Sequence, residues 1–508
     1  MGRARTAVLL LAVIAPHPAA AQGAAPGVVQ EAAQGAVREP RLFAAPGRAG
    51  GTAPAVTAGP PRAGAPMRAG FAVPEDAAAA APALFRLFLE PIGSELACMD
   101  AARRFVAAAG RMPGSRELAG TSFIVFGADA TVTLIDPGLR LGPAGLAGLV
   151  RLPGEATAFA VDPLGQRLFV ATAAPPGLMA VDLVTRRAGA VRRLPAPAAD
   201  LAWDVAMERL LLLGRDGSLL ALDPEGLETR GVANLPAPGA AVALIPSERR
   251  LAVASGGAGT LRLLDPASLA TLAEWPMPAG PAARLAVAGE GLLFAAAGAE
   301  AAAYDVGGRG RALGHFLLPA GVRGLTGMAP PRAAALLEDG GVAVLDAASG
   351  DAQPIAGPEA AAELGVAGDT LYLRSTSSSR LSVIALGALR PGRVPAPAHL
   401  EAGNQPFGPA PLPLMALVGD TMLTANPADR RIFQHHAPGM AAPSAVFTVG
   451  GSPVAGFAAV PRTPARTGPG RVELTAEAPR AGRWRLIAAV AEQGRAVCAE
   501  IETIEAVP

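Results

Sequence analysis

From about residue 120 the apolar positions come in short runs, each closed by Gly, Pro or Asp. Runs of about four to eight apolar residues between turn formers predict buried β-strands. Laid out in order, the runs repeat. "VTLIDP" ends in Asp136, "LMAVDL" in Asp182, "LLALDP" in Asp223, "LRLLDP" in Asp265, "AAAYDV" in Asp305 and "VAVLDA" in Asp346. "LSVIAL" (381–386) keeps the register without the Asp, and "DRRIFQ" (429–434) continues it. A nearly constant period of about 41 residues in a strand-rich chain predicts a β-propeller with four strands per blade.

Residues 157–195 supply the template. "AFAV" predicts the inner strand and "DPLGQ" a tight turn. "RLFVAT" and "LMAVDL" predict the buried middle strands, and "GAVRRLP" the outer one. The Asp closing each third strand has a structural role, because its carboxylate can accept backbone N–H groups of the next turn. Counting third strands predicts eight blades over residues 119–460. A ring of seven is the alternative, since the "LSVIAL" unit departs most from the pattern. The first unit lacks an inner strand, and "GGSPVAGFAAVPR" (450–462) has the pattern of one. Pairing 453–460 beside 123–127 would close the ring and remove two exposed edges.

The flanks differ. Residues 461–508 alternate like a small β module. Residues 81–118 form a lead-in, with a strand in "PALFRLFLEPIG" (82–93) and a helix over 94–110 with Ser94 as its N-cap. The strand is expected to dock on the C-terminal module, since neither can bury a core alone. Residues 22–80 carry Ala, Pro, Gly and Arg with few large apolar side chains and predict a disordered tether. Residues 1–21, with Arg3, Arg5, the apolar "AVLLLAVIA" and a small-residue cleavage site, predict a signal peptide. The reading is a periplasmic or secreted protein with no membrane insertion after cleavage.

Composition narrows the chemistry. All 43 basic residues are Arg, which excludes lysine Schiff bases and P-loops. A net charge of +1 without a basic stripe gives no footprint for nucleic acid. No nucleophile elbow or HExxH occurs. Cys98 and Cys498 are either a disulfide, as export favours, or two buried thiols. Of the five histidines, His435 and His436 are adjacent. With Met440 they form a candidate copper set. Adjacent residues on a strand face opposite sides, however, and the competing expectation is a strand end with Asp429 in a turn, Ile432 buried and both imidazoles exposed.

The units resemble YVTN-repeat propellers: "LFVAT" (168–172), "LAVAS" (251–255) and "MLTAN" (422–426) stand where that tetrapeptide lies. Three longer stretches resemble the exported bacterial propellers known as cytochrome-D-one-domain-like, after the propeller of haem-containing nitrite reductases. They are "ELACMDAARRFVAAAG…GTSFIVFGADATVTLIDP", "GNQPFGPAPLPL" (403–414) and the region from "DRRIFQHHAPGM" to "CAE". The resemblance spans roughly residues 95–500 and implies a propeller and export, but no settled activity. Where those relatives carry an aromatic run, Gln434-His435-His436 stands here. There is no CxxCH, and His315 and His399 lie apart in sequence, so haem has no evident ligands. The functional expectation is a non-catalytic scaffold or binding module with no cofactor and an unknown periplasmic protein or small ligand as partner, its site at the channel mouth. The alternative is a redox or metal protein with copper or haem.

Overall fold

The computed structural model describes residues 41–46, 60–72, 85–92, 97–107, 116–137, 146–235, 240–307, 311–355, 357–389, 395–419, 421–436, 441–468, 471–490 and 495–505. Within them, eight antiparallel sheets form the blades of a β-propeller. Blade two starts with the inner strand Ala156–Asp162, and blades three to eight start with Ala198–Asp204, Ala240–Ile245, Ala283–Ala288, Val322–Gly327, Ala361–Ala367 and Met415–Val418. The "LSVIAL" unit supplies Arg380–Ala385 to a complete blade seven, so the ring has eight blades.

Blade one takes its inner strand from the far end of the ring. Val454–Arg462 pairs antiparallel with Gly120–Gly127, placing Phe457 opposite Val125 and Ala458 opposite Ile124. Arg462 Nη2 then reaches Asp136, 2.9 Å away at the end of the third strand. The expected closure is therefore present.

Middle strands are buried on both faces because each blade packs against two others. Arg209–Gly214 and Leu292–Ala297 are buried throughout, which is why they read as apolar runs, broken only by Arg209, which is paired with the buried Asp204. Outer strands have one wet face, so Thr229–Asn234 and Thr271–Pro276 alternate. The core consists of interblade layers: Ile124, Phe126 and Leu134 of blade one meet Leu168, Val170 and Val181 of blade two. Phe123 and Val125, on the opposite face of blade one, meet Leu423 and Ile432 of blade eight. Blade two's outer strand departs from the template. "GAVRRLP" is not one strand; Arg187–Ala188 and Arg192–Arg193 are short separate pieces on the same neighbour.

Beside the ring lie two further four-stranded sheets. One joins Arg41–Pro46, Pro66–Ala72, Arg471–Glu477 and Ala465–Gly468; the other joins Arg116–Glu117, Phe85–Pro91, Gly482–Val490 and Arg495–Thr503. Four of these strands precede the ring and four follow it. Met67, Leu87, Leu89, Leu474, Trp484 and Leu486 fill the space between the sheets. The tether expectation is corrected here. Residues 41–46 and 66–72 are strands, and Pro66–Ala72 pairs along its whole length with Arg471–Glu477. Its composition cannot build a core alone, but Met67 and Ala69 need only a partner sheet to cover them. The lead-in strand pairs with Gly482–Val490, and the helix Cys98–Ala107 packs Ala101 and Ala102 on Phe88 and Ile487. Residues 1–21 and Ser94 lie outside the described residues. Among those described, no helix is long and apolar enough to cross a membrane.

Candidate functional site at the channel mouth

The inner strands all run in one sense, so their first residues ring one mouth of the central channel. At that end four strands depart from their apolar pattern. Asp200, Arg284 and Glu363 hold equivalent places, opposite Leu213, Ala296 and Arg374 on the second strands. Arg323 is the extra residue of a bulge between Val322 and Gly324. A bulge turns a side chain out of the pleat without disturbing the rest of the strand.

These side chains link successive blades. Arg284 Nε donates to the Arg323 carbonyl at 2.7 Å, and its Nη1 donates to the Ala283 carbonyl at 2.9 Å. Arg323 Nη2 donates in turn to the Ala361 carbonyl. Glu363 accepts the Leu414 and Met415 N–H groups at 2.9 and 3.0 Å and pairs with the buried Arg374 at 2.9 Å. Asp200 Oδ1 accepts the Leu201 N–H at 2.9 Å, and Oδ2 lies 3.5 Å from the Val242 nitrogen. Burial pushes the Asp200 carboxyl above its ordinary range, although two N–H groups and the Arg284 cation oppose this.

"GNQPFGPAPLPL" folds over the same mouth between blades seven and eight. Phe407 and Gly408 donate their N–H groups to Ser378 and Thr376 at 3.1 and 3.0 Å. Arg374 lies over the Phe407 ring, 5.7 Å from its centroid. From blade eight, Asn426 Nδ2 donates to the Ala402 and Gln405 carbonyls at 3.0 and 2.8 Å, and Asp429 accepts the Asn404 N–H at 2.6 Å. The segment then runs along the closing strand, where a Cβ on Gly456 would lie 2.4 Å from Leu412 Cβ. Only glycine permits that approach.

The regular Asp residues lie elsewhere. Asp182 accepts the N–H groups of Val184 and Thr185, both at 2.8 Å. Asp223, Asp265 and Asp346 each accept from the residues two and three further on. Those bonds, with the Ser268 hydroxyl, hold the Asp265 carboxyl below its ordinary value. Asp136 instead meets Arg462, and Asp305 closes the third strand of blade five opposite Arg311.

The histidines diverge. Ile432 is buried, Asp429 anchors the turn, and His436 is exposed beside Thr421 and Gln434. The expectation for His435 is overturned: it is 2% exposed. Its Nε2 lies 2.9 Å from the Glu401 carbonyl oxygen, which can only accept, so that nitrogen carries the proton. Nδ1 is buried without a hydrogen-bond partner. Strand alternation sends the two rings to opposite faces, and Met440 lies outside the described residues. His315 pairs with Glu300 on blade five, and His399 lies near Ser382 on blade seven. Among the described residues no three or more His, Cys, Asp and Glu side chains gather as a metal site. Cys98 and Cys498 are bonded, their Cα atoms 5.9 Å apart.

The mouth charges escaped the sequence reading, although a signal exists. "AADLAWD", "ARLAVA", "VRGLTG" and "AAELGVA" each place a charge near the start of an inner strand. Only the register shows that the four share one end.

The fold defines an eight-bladed β-propeller carrying a β-sandwich built from both its flanks. No protein-family model matches the chain, and no curated protein matches it. Among solved structures it is similar to apo AztD from Citrobacter koseri at 13% identity and a TM-score of 0.51, covering 69% of this chain and 100% of that one. A second crystal structure of AztD gives 13% identity and 0.50, covering 68% and 98%. BamB from Moraxella catarrhalis gives 14% identity and 0.47, covering 60% and 90%. These neighbours are propellers, and at such identities the AztD likeness speaks to the fold alone. The YVTN and cytochrome-D-one-domain-like resemblance rests on its motifs.

Proposed function

We propose that this chain is an exported, periplasmic binding propeller without a catalytic centre of its own, and that it binds at the mouth where the inner strands begin. One observation carries the reading: charged side chains cluster at that end of otherwise apolar strands, beside the clamped 403–414 segment. Loops and strand ends on a rigid ring are where a propeller displays contacts. The basic n-region and apolar run at the N-terminus support export, and a disulfide suits an oxidising compartment. Asp182, Asp223, Asp265 and Asp346 are occupied with turns and Asp136 with Arg462, which removes most of the regular Asp residues as candidates for acid–base work.

Hydrogen exchange tests the location. The small-molecule fraction of a periplasmic extract is expected to protect residues 374–380 and 403–414 while leaving the turn at 205–208, on the opposite mouth, unchanged. Protection at the opposite mouth, or none, would overturn the reading. A Soret band, or one equivalent of metal retained by the purified protein, would argue against the non-catalytic part.

A further inference from the structure

Arg284 and Arg323 pose a problem that interblade linkage does not solve. Each donates to a backbone carbonyl of the next blade, which a neutral amide could also do. The Arg284 guanidinium rests on the backbone carbonyl of Arg323 itself, so two permanent cations arise from neighbouring positions of adjacent inner strands. Among the described residues, neither has a carboxylate within ion-pair distance. Three acids lie in the same region. Glu363 is held by Arg374 and two N–H groups of blade eight. Asp200 bonds the Leu201 N–H and faces Val242, and it feels Arg284 only through space. Glu338 lies against the backbone of Gly321, two residues before Arg323, and is exposed. Adjacent like charges without a counterion repel one another and keep donors available for an oxyanion.

We propose that Arg284 and Arg323 form a binding site for the oxyanion of a small ligand, a carboxylate or a phosphate. Resting on the mouth-binding reading above, this names the ligand's chemical class. Arg284 has Nε and Nη1 engaged, so its Nη2 edge is free to donate. Arg323 is exposed and has only Nη2 engaged. The two sit on adjacent inner strands and can grip one anion from two sides, at the end of the channel that the 403–414 segment borders.

Isothermal titration of the full exported protein at low ionic strength tests this, with succinate and inorganic phosphate as probes and chloride as control. One probe is expected to bind saturably, one per chain. Saturation by succinate alone identifies a carboxylate ligand, and by phosphate alone a phosphate ligand. Arg284→Gln and Arg323→Gln should each weaken binding by about ten-fold or more, while Glu338→Gln, which removes a competing charge, should tighten it. Arg323→Lys keeps the charge and should stay within a few-fold of the wild type, which keeps the test usable if the glutamine variants fail to fold. The proposal is overturned if neither probe saturates, or if both glutamine variants bind like the wild type. Exchange protection at 374–380 and 403–414 by the extract, persisting without any oxyanion binding, would remove this proposal and leave the mouth-binding reading standing.

Discussion

His435 and His436 differ by one position and by nearly everything physical. The sequence places both on a strand end, and alternation correctly sends them to opposite faces. Which face is buried depends on blade seven, whose Glu401 carbonyl accepts from His435. With Nε2 donating there and Nδ1 enclosed, a second proton would create a buried charge without an acceptor, so burial holds the His435 pKa below its ordinary value. The unfolded chain therefore binds a proton that the folded chain refuses. Stability contributed by neutral His435 is complete above about pH 6.5. It falls as the pH drops below that value, on the order of 1 kcal/mol per pH unit, until the folded pKa is reached. Urea unfolding at pH 7.5 and 5.5 should show this component, and His435→Gln should remove it. His435→Ala is expected to cost about 2 kcal/mol and His436→Ala less than about 0.5 kcal/mol. Equal effects would contradict the assigned burial. The same contrast was illegible in the sequence, because two identical letters carry no information about a neighbouring blade.

At the scale of elements, periodicity served middle strands best and flanks least. A strand buried on both faces must be apolar at every position, so Leu210 to Leu213 and Leu293 to Ala297 announce themselves. The Asp after a third strand is legible for a related reason, since turn N–H groups need an acceptor wherever the chain reverses. Asp182→Ala should cost about 1 kcal/mol in urea unfolding, with blade content unchanged by circular dichroism. Interblade fit leaves a fainter trace. A Cβ on Gly327 would lie 1.9 Å from the Val287 carbonyl oxygen, so the inner strands of blades five and six approach through a missing side chain. Gly327→Ala is expected to destabilise by about 2 kcal/mol, and an unchanged unfolding midpoint would refute that contact. Strands 41–46 and 66–72 left no usable pattern. Their stability comes from pairing with a sheet built from the other end of the chain, and local composition does not encode a partner some four hundred residues away.

For the whole molecule, the ring is closed more than once. The closing strand, the Arg462–Asp136 pair, the mixed sandwich and the Cys98–Cys498 bond all join the two flanks. Cross-linking residues 400 apart restricts the unfolded chain by an amount on the order of 5 kcal/mol in the chain-entropy model. Reductant should therefore raise the intact mass by two hydrogens and lower the melting temperature, and Cys98→Ser should melt like the reduced wild type. A mass that does not change on reduction would rule the bond out. Local chemistry repeated along the chain was enough for the sequence by itself to determine the blade strands and turns, the blade period and the need for a late strand to complete the first blade, while the choice of eight blades over seven waited for the complete blade around Arg380–Ala385. Only the tertiary structure decided which residues meet across blades. It buried His435, set Arg284 beside Arg323, and wove residues 41–46 and 66–72 into a sandwich. Those outcomes depend on register and on partners far away in sequence, and neither is written in the spacing of hydrophobic and polar residues.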